Sequence, residues 1–304
     1  MKKKLGNLRR KIYRKYVVPF FNLEEKVIEK EFRQKLGYDI NFSKKPESFN
    51  QKIQFRKLYD KNPLFIKCAD KYKVREYVKE KIGEEHLIPL YLVTSKLKKE
   101  HFDNLPSQFI IKNNNASGDE FYKIVRNKSE LDLDRTIKRF NKNTKKKFGF
   151  KTFEYFYNEM KPLILVEKLL LNDKGEIPSD YKIHYFNGED PFYYIQVDSD
   201  RQTGHKKNLY DKNWNLLPFE HNFPRPNKVD EKPDKLEEMV SLAKKLGEDF
   251  KYVRVDFYYV NNKVYFGELT FTPSSGFGKF EPREWDFKLG EKWEEDFTKY
   301  LENR

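Results

Sequence analysis

The sequence predicts an α+β fold. Helical and strand-like patterns occupy separate stretches, with amphipathic helices over 70–83 and 233–247 and strand-turn-strand patterns over 107–126 and 252–271. Hydrophobic residues make up 38% of the chain and aromatics 16%, which supplies a core rich in Phe and Tyr beneath a densely charged surface. At 304 residues there is room for about two compact units, burying roughly three quarters of the unfolded surface.

Residues 1–20 stand apart. Lys2, Lys3, Lys4, Arg9, Arg10, Lys11, Arg14 and Lys15 all precede the first acid, Glu24, so eight positive charges of a chain with formal net charge +14 sit in one short arm. Between them Leu5, Leu8, Ile12 and Tyr16 recur at three- or four-residue spacing, the period of an amphipathic helix. Two readings are open. The arm is a basic amphipathic segment that contacts a membrane surface or polyanion, or it is a helix whose apolar stripe packs on its own domain while the lysines stay solvated.

In DKYKVREYVKEKIG, Asp70 is the natural N-cap, Val74, Tyr77, Val78 and Ile82 share a face, and Gly83 suits a left-handed C-terminal position. SQFIIK (107–112) and FYKIVR (121–126) read as strands flanking the polar loop NNNASGDE. LILVEKLL (163–170) is a further strand-like run. PDKLEEMVSLAKKLG places Leu236, Met239, Val240, Ala243 and Leu246 on one helical face, with Gly247 as its stop.

The last element is the hairpin YVRVDFYYV–NN–KVYFGELTF. Its parity matters. A strict two-residue turn at Asn261-Asn262 pairs position 256 with 267 and separates Asp256 from Glu268, whereas a three-residue loop or a bulge pairs 256 with 268. If the two acids work together, one extra residue must enter the ladder.

Composition narrows the chemistry. The positive balance points to an anionic partner. A single cysteine, Cys68, excludes an internal disulfide framework and a multi-cysteine metal site, and five histidines give no basis for a His-built centre. No apolar run reaches membrane-spanning length, and the basic N-terminus lacks a signal-peptide core, so the expected location is cytoplasmic. No GxxxxGK[ST] loop, GxGxxG fingerprint, GxSxG elbow or kinase motif set occurs. Asp256 and Glu268 on neighbouring strands, with Arg254 two residues before the first, nevertheless suit magnesium-nucleotide chemistry, because Mg²⁺ takes hard oxygen ligands from one or two carboxylates and completes its shell with phosphate and water.

The blocks FNQKIQFRKLYDKNPLFIKCADKYKVREYVKEKIGEEHLIPLY, LPSQFIIKNNNASG, DYKIHYFNG, LYDKNWNLLP and RVDFYYVNNKVYFGELTFTPSSGF, in that order, resemble the TupA-like ATP-grasp proteins of bacterial surface-polysaccharide gene clusters. The resemblance covers about residues 35–290. It implies the ATP-grasp fold, with two α+β subdomains gripping ATP after a short, largely helical N-terminal region. The implied division is 1–65 for the arm and reduced N-terminal region, 66–162 for the lid subdomain, and 163–304 for the C-terminal subdomain with the Mg-binding hairpin.

The resemblance also assigns roles. Lys112 matches the lysine that grips the α- and β-phosphates, and NNNASG, with Ser117 and Gly118 at its end, matches the mobile loop that covers them. Relatives carry His-Gly where this chain has Asn115-Ala116. Lys71 matches a second nucleotide-reaching lysine. Glu167, Lys168 and Leu170 resemble the hinge that recognises adenine. Asp180 and Lys182 fall where a ribose-contacting acid and a γ-phosphate lysine are expected. Asp256 and Glu268 match the magnesium ligands, with Glu268 bridging two ions, and Arg254 matches the arginine that stabilises the transferring phosphoryl group. Thr270 stands where the superfamily usually has Asn. Ser275 lies in the turn where related ligases hold a substrate carboxylate, and Arg201, His205 and Lys206 form a basic cluster that could grip an acidic acceptor.

The implied function is an ADP-forming carboxylate-amine ligase using ATP and two Mg²⁺ ions. Its expected substrates are a uronic-acid carboxylate of a capsular, O-antigen or teichuronic-type glycan or lipid-linked precursor, and an amino acid or similar amine. The protein is expected at the inner face of the plasma membrane if residues 1–20 bind anionic lipid. A kinase or glycosyltransferase-like enzyme of the same pathway is the alternative among enzymes. A non-catalytic polyanion- or membrane-binding protein is the alternative from another class; nucleic acid is disfavoured because the basic cluster is a terminal arm separate from the motif-bearing body.

Overall fold

The computed structural model describes residue 9 and residues 12–199 and 204–302. Leu5 and Leu8 of the expected amphipathic stripe lie outside the described residues. Where the arm is described it departs from the stripe: a π-turn, Tyr13–Val17, runs into the helical turn Val18–Phe20, and Ile12 and Tyr16 are exposed while Arg14 and Val18 face inward. The reason lies in Arg14, whose guanidinium donates to the Lys151 carbonyl, pairs with Glu31 and lies 4.8 Å from the centre of the Phe153 ring. Anchoring one buried cation fixes the phase of the helix and turns the aromatic side outward.

Helices α1 (Glu24–Leu36) and α2 (Phe49–Tyr59) follow. A capping box between Ser48 and Gln51 starts α2, a device typically contributing about 1 kcal/mol. The helix is buried nearly all round, so its polar side chains reach backbone carbonyls. Lys52 donates to Gly290 and Trp293, and Arg56 to Tyr252 and Phe271.

Asp70 is not the N-cap of the next long helix. It ends α3 (Leu64–Ala69), and its carboxylate accepts the N–H groups of Tyr72 and Lys73, so α4 (Val74–Ile82) starts a turn later. The apolar face of α4 is buried as its periodicity predicts. Gly83 has positive φ, but its ψ of 156° is extended rather than left-handed helical.

Strands β1 (Leu90–Thr94), β2 (Phe109–Asn113), β3 (Tyr122–Val125) and β4 (Ile164–Lys168) form an antiparallel sheet in the order β1-β4-β2-β3. Phe109, Ile111, Val125, Ile164 and Val166 bury one face together with Phe140 of α5 (Leu133–Asn143). By alternation the other face carries Ile110, Lys112, Leu165 and Glu167, since Lys112 pairs with Leu165 and Ile110 with Glu167.

A second antiparallel sheet contains β5 (Asp180–Phe186), β6 (Phe192–Ser199), β7 (Lys206–Tyr210), β9 (Tyr252–Val260) and β10 (Lys263–Thr270), ordered β10-β9-β5-β6-β7; β8 (Glu220–His221) and β11 (Phe280–Glu281) make a short separate ladder. Ile183, Ile195, Val197, Val253, Val255 and Phe257 pack in one core with α6 (Leu236–Gly247) and α4. Residues in register on the opposite face are polar: Lys182 lies beside Gln196 and Asp256, Asp256 beside Glu268, His184 beside Arg254, and Arg254 beside Thr270.

Two segments near the expected subdomain borders pack as follows. Residues 66–82 pack through Cys68, Val74, Tyr77, Val78 and Ile82 onto the core of the second sheet. Residues 164–168 form an interior strand of the first sheet, because β4 pairs with both β1 and β2.

Candidate active site

The hairpin resolves the parity question by a bulge and not by an odd loop. Asn261 and Asn262 make a two-residue turn with φ of 50° and 57°, joining the pair Val260–Lys263. Left uninterrupted, this register would set Glu268 on the wrong face. The ladder instead shifts between Phe266 and Glu268, at Gly267, and Asp256 then pairs with Glu268 and Arg254 with Thr270.

On this face the charges form one connected set. Arg254 grips Asp256 with two bonds of 2.7 Å, reaches Glu268 at 3.1 Å and donates to the Thr270 hydroxyl at 3.0 Å. Lys182 Nζ lies 2.5 Å from Asp180, 2.7 Å from Asp256 and 3.8 Å from Asp198, with all four side chains buried. Burial opposes ionisation of Glu268, but Lys71, Arg254 and Lys182 outweigh it and hold its carboxyl below the usual range. Burial likewise disfavours the Arg254 cation, yet Asp256 and Glu268 raise its pKa overall. The carboxylates of this face thus lie against two fixed cations, Lys182 and Arg254, the electrostatic setting a polyphosphate and its counter-ion would enter.

The first sheet faces this row. Lys112 and Glu167, on adjacent strands of its polar face, form an ion pair of 2.6 Å. Lys71 connects the two parts: its Nζ donates to the Ala116 carbonyl at 2.9 Å and lies 4.0 Å from Glu268. Burial, with Lys112 nearby, pulls the Lys71 pKa down despite Glu268.

The first part of the loop after β2 packs against the body. Asn113 to Ala116 are buried, and Asn114 is tied to Asp70, Lys161 and Leu163 by bonds of 2.8, 3.0 and 2.7 Å. From Ser117 to Glu120 the loop is exposed, with Gly118 at φ 98°. Three consecutive amides thus build a rigid base under a short free tip.

Lys168 is exposed and its N–H is engaged by the Pro89 carbonyl, while Leu170 is buried with Ile88 and Val260. At the β7 edge of the second sheet, His205 Nε2 lies 3.5 Å from Asp198, which links it to the Lys182 cluster. Arg201 lies outside the described residues. Ser275 follows β10 in a turn where both Ser274 and Ser275 have φ near 50°, a costly backbone state for non-glycine residues. Its Oγ is buried without a hydrogen-bond partner, while Gln54 and Lys57 of α2 hold its carbonyl at 3.1 and 3.0 Å.

Sequence reasoning missed His184, Gln196 and Asp198. His184 stacks on Tyr194 at 4.2 Å, and Gln196 connects it, at 3.3 Å, to Asp198 at 2.6 Å. Burial, then Arg254, His221 and Lys207, keep His184 well below the ordinary histidine pKa, hence neutral at pH 7. The signal was present as period-2 polarity, D-x-K-x-H in β5 and Q-x-D in β6.

Among the described residues no three His, Cys, Asp or Glu side chains form a ready metal cage. Two opposed carboxylates, with the Thr270 hydroxyl 3.3 Å from Glu268, still fit an ion that draws its remaining ligands from phosphate and water.

A family model described as TupA-like ATPgrasp matches residues 51–294. No curated protein matches the chain by sequence. Among solved structures, the chain is similar to D-alanine–D-alanine ligase from Helicobacter pylori, at 18% identity over 78% of this chain and 60% of that one, with a TM-score of 0.38. It is similar to N5-carboxyaminoimidazole ribonucleotide synthetase from Thermus thermophilus, at 11% identity over 70% and 48%, TM-score 0.39. It is also similar to D-alanine–D-alanine ligase from Bacillus anthracis complexed with ATP, at 16% identity over 78% and 67%, TM-score 0.42. The chain therefore spans less than two thirds of the Helicobacter and Thermus proteins.

Proposed function

The chain belongs to the TupA-like ATP-grasp family, and from that premise we propose that it is an ATP- and Mg²⁺-dependent carboxylate-amine ligase acting on an acidic glycan. One observation carries the reading: Lys71 bonds the Ala116 carbonyl of the loop after β2 and lies 4.0 Å from Glu268, and so links the part that holds the Lys112–Glu167 pair to the one that holds Asp256, Glu268, Lys182 and Arg254. A triphosphate fits that charge pattern.

Lys112 and Lys71 would hold the phosphates, the Ser117-Gly118 tip would cover them, and Glu167 with the backbone around Lys168 and Leu170 would face the adenine. Asp180 would reach the ribose. Asp256 and Glu268 would hold the Mg²⁺ ions, two in number, with Thr270 or water completing the set. The metal would neutralise charge developing on the transferred phosphoryl group. The acceptor carboxylate attacks the γ-phosphorus, ADP leaves, and an amine displaces phosphate from the acyl phosphate to give an amide. Arg254 and Lys182 would stabilise the transferring group, since phosphoryl transfer depends chiefly on positioning and electrostatics.

Ser275, His205 and Arg201 would bind the acidic acceptor, a uronic-acid unit of a capsular, O-antigen or teichuronic-type glycan. A lipid-linked precursor would place the reaction at the cytoplasmic face of the plasma membrane. The test supplies purified protein with ATP, Mg²⁺, uronic acids and amino acids and follows ADP. Amine-dependent ADP release that Glu268→Gln abolishes is the expected result. Release without amine would identify a kinase instead, and release unaffected by Glu268→Gln would overturn the site.

A further inference from the structure

Independently of the ligase reading, we infer that residues 12–21 form a membrane-docking edge that inserts aromatic side chains into an anionic lipid surface. Five of the ten exposed large hydrophobic residues among those described lie within this stretch: Ile12 (49%), Tyr13 (41%), Tyr16 (59%), Phe20 (78%) and Phe21 (62%). A soluble surface ordinarily scatters such residues singly, and their concentration marks a contact. The exposure is built in, because Arg14 and Val18 are the side chains anchored to the body and the remaining positions of the turn must face out.

The charge pattern selects the partner. Lys15 Nζ lies 4.8 Å from the centre of the Tyr16 ring, a cation beside an aromatic at the depth where lipid headgroups meet acyl chains. Seven further basic residues precede it in the sequence, with no acid before Glu24. Three of the four acids of α1 are engaged by neighbouring side chains. Glu24 accepts from Tyr155 at 2.8 Å, Glu25 accepts from Tyr59, and Glu31 pairs with Arg14, while Lys26 and Lys30 stay exposed. Cations left outward around an aromatic edge complement anionic headgroups, whereas a second copy of this chain would bring the same cations against one another.

The test is co-sedimentation of the full chain with vesicles of phosphatidylcholine alone and of phosphatidylcholine mixed with phosphatidylglycerol. Binding is expected only to the anionic vesicles and is expected to weaken as salt rises. The combined variant Tyr16→Ser, Phe20→Ser and Phe21→Ser should lose at least about tenfold in vesicle affinity while the melting temperature changes little, since all three side chains are mostly exposed. In a second protein, Tyr16→Trp should show blue-shifted emission on adding anionic vesicles. Equal binding to both vesicle types, or unchanged binding by the triple variant, overturns the proposal. So does wild-type self-association that the same variant abolishes, which would make the edge a contact between copies.

Discussion

Asp256 and Glu268 face each other across the β9–β10 ladder because one glycine, Gly267, is spare in the register. A side chain at that position would sit 3.0 Å from the Asp256 carbonyl oxygen and 3.2 Å from the Tyr258 ring. Gly267→Val is therefore expected to push the two strands apart where the carboxylates meet. ATP-dependent activity should fall at least about tenfold, while stability falls by roughly 1–2 kcal/mol. ADP release and urea denaturation measure the two effects, and a folded variant that keeps wild-type ADP release would show that the carboxylates are not displaced.

Arg254 occupies the same oxygens that a metal ion would take. Its fork bonds Asp256 twice at 2.7 Å and Glu268 at 3.1 Å. Arg254→Ala should thus raise the affinity of the nucleotide-free protein for Mg²⁺, by removing a competing fixed cation, while kcat/KM for ATP falls at least about 100-fold through loss of charge stabilisation. Calorimetric Mg²⁺ titration beside steady-state kinetics separates the two. Weakened Mg²⁺ binding would mean that Arg254 organises the ligands instead of competing for them.

Much of this site was legible in the chain, and the illegible part has a physical cause. Alternation along RVDFYY and FGELT placed Arg254, Asp256, Glu268 and Thr270 on faces, but parity between the strands depended on a bulge that no local pattern announces. The helical faces of α4 and α6 followed from 3.6-residue periodicity, because apolar burial sets them. The arm inverted its apparent stripe because one tertiary contact, Arg14 with Glu31 and the Lys151 carbonyl, outweighed local amphipathicity. His184 and Asp198 were overlooked because single polar residues in strands carry no motif; only the assembled sheet shows that they continue the face of Lys182.

Lys182 carries a stability prediction. It is 4% exposed and surrounded by Asp180, Asp256 and Asp198, so removing its ammonium takes away a cation that three buried carboxylates share. Lys182→Met should cost about 3–5 kcal/mol. Raising ligand-free Mg²⁺ should recover part of that loss, because a divalent ion replaces the missing charge. Urea midpoints with and without Mg²⁺ test this, and a cost below about 1 kcal/mol would show that the cluster is more hydrated than its burial indicates.

Lys57 gives stability a pH dependence. Burial pushes its pKa down to about 7, and burial also lowers that of Lys52, to about 8. In the unfolded chain both titrate in the ordinary lysine range near 10.5. Between those limits the unfolded chain binds more protons than the folded one, so stability rises with pH across the window, by at most about 1.4 kcal/mol per pH unit for each group. Lys57→Met removes one of the two contributions, and its stability should climb less steeply than that of the wild type between about pH 7 and 9. Because Lys57 also holds the Ser275 carbonyl at 3.0 Å, the variant should raise KM for the carboxylate acceptor more than it lowers kcat. Urea unfolding across pH measures the first effect and acceptor-dependent kinetics the second; parallel pH profiles for the two proteins would show that Lys57 stays protonated in the fold.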